Sequence, residues 1–289
     1  MTTDNNKKIG LALGGGFIRG TAQIGVIEVL EENNIPIDLV AGCSSGSAVA
    51  GAYAAGTLPH LKKRLLEGSR KDYFDVIFEP AIPREGFLKG ERNKKFFEEF
   101  VGNKTFDQLD KKLIIAATNL STMQQVWLDS GEVSFAIRAA TAVPGVFTPM
   151  KRDGQILVDG GNFNLIPSEA LYENGAEYVI AVDVSQPPNI YTRTLSNIKK
   201  LKKRQTLINL DKYLPKTNLH LFSLIARAVH LSSSQIHKFY HDGYKYDYLI
   251  HPELIGVKRW SVKMVDYCIK QGRKATLEAL LDIKKDLGL

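Results

Sequence analysis

The short apolar run Ile9-Gly10-Leu11-Ala12-Leu13 ends in Gly14-Gly15-Gly16, and apolar positions then recur at Ile24, Ile27, Val29 and Leu30 before Asn33-Asn34. A run of this length bounded by a glycine turn predicts a buried strand, and the wider rhythm after it predicts a helix. Ile35 to Ala41 is a second apolar run, interrupted by Pro36 and followed by Gly42-Cys43-Ser44-Ser45-Gly46 and the small-residue stretch Ser47 to Ala55. It predicts another strand, a sharp turn and a helix. Leu113 to Ala117, Gln155 to Val158 and Tyr178 to Val184 add short, partly β-branched runs, as expected of strands in a mostly parallel sheet covered on both faces. The fold class predicted is α/β, a three-layer α/β/α sandwich around a mostly parallel central sheet.

Two segments depart from this rhythm. Residues 60–112 are rich in charge with a helical apolar spacing at Phe96, Phe97 and Phe100, which predicts a helical insertion between strands that covers one side of the site. From Gln186 the texture changes again: Pro187-Pro188 opens a stretch containing Lys199-Lys200-Leu201-Lys202-Lys203-Arg204, and helical patterns continue through Leu289. We expect one domain over 1–289, with its core in 9–185 and a basic, helical region over 186–289.

Composition narrows the setting. With 44% hydrophobic residues in 289, the chain can bury a substantial core. Cys43 and Cys268 are its two cysteines; they form no disulfide framework and no zinc-binding spacing, so a reducing compartment is expected. Lys7 and Lys8 precede an apolar stretch of five residues before glycine, too short for the core of a signal peptide. No run is long enough to cross a bilayer. These features predict a cytoplasmic protein. The net charge of +7 leaves anionic partners open, nucleic acid or an acidic membrane surface, without choosing between them.

Gly42-Cys43-Ser44-Ser45-Gly46 carries the sharpest chemistry. A G-x-S-x-G between a strand and a helix holds its serine out of the sheet, and the flanking glycines remove Cβ atoms that would clash in the turn. Ser44 is the candidate nucleophile; the competing reading is a turn of small residues. Gly14, Gly15 and Gly16 are candidate oxyanion-hole donors, since successive N–H groups at a strand end can converge on one point. Glycine turns after a first strand also bind pyrophosphate, but Gly14, Gly16 and Gly20 give G-x-G-x-x-x-G, and no Walker lysine-serine pair follows. Asp159-Gly160-Gly161 follows the strand Ile156-Leu157-Val158. A partly buried carboxylate there can act as the base for the serine, or can simply cap local N–H groups.

Together these pieces resemble the patatin-like phospholipase family, over roughly Ile9 to Ser185. Gly14 to Gly20 is similar to its glycine-rich oxyanion block with an Arg-Gly ending, Gly42 to Gly46 to its nucleophile elbow, and Asp159-Gly160-Gly161 to its D-G-[GA] motif. Ala139 to Phe147, with Val143-Pro144-Gly145, resembles the loop before that aspartate. The resemblance implies a Ser44/Asp159 dyad without histidine and hydrolysis of acyl esters of phospholipids or lysophospholipids, with no metal or other cofactor. Nucleic acid is not expected as a partner. Two positions depart from bacterial members: Phe17 and Ile18 stand where small residues are common, and Gln23 where histidine is common. Phe17 and Arg19 are candidate substrate contacts, Phe17 by narrowing the mouth and Arg19 by holding a phosphate, although for Arg19 the structural reading, pairing with a nearby carboxylate, is favoured.

Alternatives come from two classes. A Ser-Asp-His esterase would recruit His220, His230, His237, His241 or His251, but the nucleophile here follows only one βα unit, and no histidine sits in a glycine-flanked loop after a strand. A non-catalytic lipid-binding or scaffolding protein would keep the fold, yet would not need both Ser44 and Asp159. Asp183, at a strand end, is read as a cap, and Cys43 as packing. Lys199, Lys200, Lys202, Lys203 and Arg204, with an apolar helical pattern over Leu219 to Leu231, fit two readings equally: peripheral contact with anionic membrane, or a solvated charged face beside a helix packed on the core.

Overall fold

The computed structural model describes residues 7–81, 85–185, 245–258 and 260–289. Strand β1 (Ile9–Leu13) leads through a 3-10 turn into helix α1 (Ala22–Glu32), and β2 (Leu39–Cys43) leads through Ser44 into α2 (Ser45–Ala54). Helices α3 (Leu58–Glu67) and α4 (Arg70–Ile77), strand β3 (Gly86–Leu88) and helix α5 (Glu91–Val101) form the predicted insertion. Next come β4 (Lys112–Asn119), β5 (Gln124–Leu128), α6 (Val133–Ala140), β6 (Gly145–Phe147), β7 (Met150–Arg152) and β8 (Gln155–Asp159). The order closes with α7 (Ser168–Glu173), β9 (Tyr178–Val182), β10 (Tyr248–Ile250) and α8 (Val265–Leu287).

The main sheet runs β10-β9-β1-β2-β4-β8-β7, with β5 also paired to β4. The pairs from β10 through β4 are parallel, while β5, β7 and β8 join antiparallel. Its strands carry apolar residues at successive positions because both faces are covered. Leu11, Leu13, Val40, Ile115, Ile180 and Val182 turn toward the larger core shared with α1, α2, α5, α6 and α8. Ala12, Leu39, Ala41, Ile114, Val179 and Ala181 turn to the other face, against Ala170 and Leu171 of α7. The three-layer expectation is met.

One difference lies at the C-terminal side. The 186–289 region was expected to add helices beside a core ending near 185, yet β10 extends the sheet beyond β9 and α8 packs on α1. That helix crossing depends on glycine: a Cβ on Gly25 would fall 2.1 Å from the Ile269 carbonyl oxygen, and one on Gly272 would fall 1.8 Å from that of Ala22. Ile269, Cys268 and Ile283 of α8 are buried with Ile24 and Ile27 in the same core, so the last helix is part of the central structure.

The register of β4 decides where the site forms. Residues Ala116 and Ala117 of β4 are adjacent; Cys43 pairs with the first and Asp159 with the second. β5 occupies the opposite edge of β4 at these same positions. β2 and β8 therefore lie along one edge of β4, run in opposite directions, and end facing each other. The residue after β2 is Ser44, and the last residue of β8 is Asp159.

Candidate active site

Ser44 has φ 50° and ψ −124°, a left-handed conformation for a residue with a Cβ. Such a conformation costs on the order of 1–3 kcal/mol and is kept only where the surroundings enforce it. They do so through contacts that only glycine permits: a Cβ on Gly46 would meet the Leu13 carbonyl oxygen at 2.2 Å, and one on Gly42 would meet Ser47 Cα at 2.5 Å. The Ser44 carbonyl accepts hydrogen bonds from the Ser47 N–H and hydroxyl, which fixes the first turn of α2. The helix N-terminus thus adds positive potential beside Ser44.

Ser44 Oγ donates to Asp159 Oδ2 at 2.7 Å. The other carboxylate oxygen, Oδ1, accepts from the Gly161 N–H at 2.8 Å. The backbone of Asp159 is held on both sides: its N–H donates to the Ala142 carbonyl, and its carbonyl accepts from Thr118 Oγ1 and Asn162 Nδ2. Burial pushes this carboxyl up from its ordinary 3.8 to about 6, opposed by the hydrogen bonds from Gly161 and Ser44. It is thus largely ionised at neutral pH and far more basic than a solvated aspartate. Cys43, the last residue of β2, is fully buried, as expected of a packing residue, and burial raises its thiol.

The glycine strip lies against this pair, with Gly15 so near that a Cβ there would sit 2.9 Å from Ser44 Cβ. Its N–H groups do not converge on one point above the serine, which corrects the simplest expectation. The Gly14 N–H donates to the Val182 carbonyl, continuing the pairing of β1 with β9, and the Gly15 N–H donates to the carbonyl of Leu165 in the loop before α7. The Gly16 N–H instead donates to Ser45 Oγ at 2.9 Å. Gln23, fully buried, donates from Nε2 to the Gly14 carbonyl at 2.6 Å and so braces the strip from below.

Beside Ser44 lies a cleft of about 180 Å³. The insertion supplies one wall, with Leu61 and Leu65 of α3, Tyr73 and Ile77 of α4 and Phe96 of α5, so the expectation that 60–112 covers one side of the site is met. Phe17 lines the mouth together with Trp260. Arg19 is buried and is not among the cleft walls; its charge acts on His251 and Cys268 instead, in keeping with a structural role. Asp183 caps Ser185 through its N–H and hydroxyl and lies 3.6 Å from His251 Nδ1. His251 is not a wall of the cleft, and the direct contact between Ser44 and Asp159 leaves no place for an imidazole between them. His220, His230, His237 and His241, the basic segment 199–204 and the helical pattern at 219–231 lie outside the described residues.

Sequence reasoning missed Trp260, the bracing by Gln23 and the role of Arg138. The last is a buried cation in the small-residue helix α6 whose guanidinium donates to the carbonyls of Lys89, Gly90 and Thr148. Its only signal in the sequence was an arginine inside the apolar stretch Phe135-Ala136-Ile137-Arg138-Ala139-Ala140.

The family model for patatin-like phospholipase matches residues 11–172, more than half of the chain, and spans the elbow, the glycine strip and the aspartate. The chain belongs to the patatin-like phospholipase family. An uncharacterised NTE family protein of Mycobacterium tuberculosis is 35% identical over 184 residues, covering 63% of this patatin-like chain and 50% of its own. The lysophospholipase NTE1 of Debaryomyces hansenii is 29% identical over 204 residues, covering 66% of this chain and 13% of its own. This patatin-like chain therefore spans half or less of the length of these curated relatives. Among solved structures, VipD from Legionella pneumophila is similar with a TM-score of 0.50 at 14% identity, covering 96% of this chain and 67% of that one, a likeness of fold alone. Among the described residues no helix is long and apolar enough to cross a membrane.

Proposed function

We propose that the protein hydrolyses acyl esters of phospholipids or lysophospholipids through a Ser44/Asp159 dyad and an acyl-serine intermediate. The observation that carries this reading is the 2.7 Å hydrogen bond from Ser44 Oγ to a buried carboxylate, at a left-handed elbow between strand and helix. Asp159 takes the hydroxyl proton as Ser44 Oγ attacks the ester carbonyl, and the protonated carboxyl then passes it to the departing alcohol. In the second half Asp159 deprotonates water as it attacks the acyl-serine, and returns that proton to Ser44 Oγ as the C–O bond breaks and the fatty acid leaves. A carboxyl raised to about 6 suits both directions, since it is ionised at neutral pH yet holds a proton better than a solvated aspartate.

The negative oxygen of the tetrahedral intermediate is assigned to two donors. One is the Gly16 N–H, whose present acceptor, the Ser45 hydroxyl, can rotate away. The other is the N–H of Ser45, the residue after the nucleophile, which as the first residue of α2 has no acceptor within its own helix. Gly14 and Gly15 then act by placing the strip rather than by donating to the oxyanion. The acyl chain lies along the apolar walls from α3, α4 and α5. The test is release of fatty acid from lysophospholipid micelles and from phospholipid vesicles by the wild type and by Ser44→Ala. Turnover lost in a folded Ser44→Ala protein supports the reading, and turnover retained rejects it. Comparing the two lipid forms assigns the substrate class.

A further inference from the structure

Phe17 stands directly after the proposed oxyanion donor Gly16 and has φ 55°, in the left-handed region that disfavours a residue with a bulky side chain. Its ring packs on Trp260, with centroids 4.7 Å apart and planes tilted by 60°, a favourable aromatic arrangement. Trp260 is far away in sequence. It lies between β10 and α8 and remains 46% exposed. On the other side of Phe17, the Arg19 N–H closes the turn onto the Gly16 carbonyl while the Gly16 N–H holds Ser45 Oγ. Gly16 is thus held at its carbonyl by the Phe17 turn and at its N–H by Ser45, so a change in that turn moves the residue whose N–H is assigned to the oxyanion.

We infer that Trp260 is a positioning residue for catalysis: by clasping the Phe17 ring it holds Phe17 in its left-handed conformation, and through it the Gly16 peptide in register with Ser44. This inference rests on the proposed acyl transfer at Ser44. It assigns to the segment before α8 a part in the reaction although it contributes no group to the chemistry. Loss of the clasp lets the loop relax toward conformations that a phenylalanine prefers, and the Gly16 N–H then leaves its place. Glycine at position 17 adopts the left-handed conformation without help, so with Phe17→Gly the clasp has nothing left to hold.

The test is a double-mutant cycle read in kcat and KM on a short, monomeric ester such as p-nitrophenyl butyrate, too small to need the outer cleft walls. Trp260→Ala is expected to lower kcat about tenfold with KM nearly unchanged, a loss of about 1.4 kcal/mol of transition-state stabilisation. Trp260→Phe, which keeps an aromatic clasp, should retain most of kcat. In the Phe17→Gly background the same Trp260→Ala change should cost less than about twofold, because the strain is already relieved. The inference is overturned if Trp260→Ala leaves kcat unaltered, if its effect falls on KM, or if it is undiminished in the Phe17→Gly background. Hydrolysis that survives Ser44→Ala would overturn the underlying reading and this inference together, whereas Ser44-dependent turnover indifferent to Trp260 overturns the inference alone.

Discussion

Replacing Asp159 by asparagine should abolish turnover and at the same time stabilise the fold. The carboxyl is 6% exposed, and burial raises it from 3.8 to about 6. The folded chain thus binds this proton more tightly than the unfolded chain, so between these two values the folded state carries more protons. Stability accordingly falls as pH rises from about 4 to about 6 and stays lowered above that range. At about 1.4 kcal/mol for each tenfold change in proton affinity, the ionised carboxylate costs roughly 3 kcal/mol of stability at pH 7. Asparagine carries no charge and can keep both contacts, its Oδ1 accepting from Gly161 and its Nδ2 donating to Ser44 Oγ in place of the present bond. At roughly 2–4 °C per kcal/mol, Asp159→Asn should raise Tm by about 5 °C or more at pH 7. The gain should shrink toward zero at pH 4, where the wild-type carboxyl is already protonated. Thermal unfolding of both proteins at the two pH values, beside ester hydrolysis, makes the measurement. An Asp159→Asn protein that is less stable than the wild type at pH 7, or that keeps its activity, would refute the reasoning.

Four further outcomes are expected. The wild-type kcat/KM should fall tenfold per pH unit below about 6 as Asp159 takes up its proton, and a profile flat down to pH 5 would remove Asp159 as the base. Gly16→Ala places a Cβ 2.6 Å from Val184 Cγ2; where the stiff valine holds its place the strip shifts, and kcat should drop by on the order of 10²-fold in a folded protein, the scale of losing one oxyanion donor. Arg138→Ala strands three carbonyl acceptors and should destabilise by about 3 kcal/mol in urea unfolding, while sparing hydrolysis below the transition. His251→Gln should leave kcat within about threefold, since His251 pairs with Asp183 away from the cleft; a loss of several orders of magnitude in a folded protein would reopen the Ser-Asp-His alternative.

The strands β1, β2, β4, β8 and β9 were legible because each is a short apolar run closed by a turn signal, and the elbow was legible because Gly42 and Gly46, where a Cβ would clash, flank Ser44. What was not legible depends on pairings between distant segments. No local pattern tells that β8 runs antiparallel along the edge of β4 and stops one residue from where β2 ends, although this register is what joins Ser44 to Asp159. The strand Tyr248-Leu249-Ile250 is too short to signal itself, and it forms because β9 offers an unpaired edge. The glycine strip was recognised as a functional element, but which of its N–H groups are taken by Val182 and Leu165 follows from the neighbouring strand and loop. Trp260 gave no signal, being a lone aromatic that acquires meaning only against Phe17.

The central claim is that Ser44 is a nucleophile activated by Asp159, and reaction with a fluorophosphonate tests it most directly because the phosphonylated residue can be located by mass. The wild-type protein should gain one phosphonyl group on the peptide containing Ser44, at a rate that falls with acidification below about pH 6 as Asp159 is protonated. Ser44→Ala should gain none, and folded Asp159→Asn should react slower by several orders of magnitude. Label found on another serine, or equally fast labelling of Ser44 in the Asp159→Asn protein, would contradict the account.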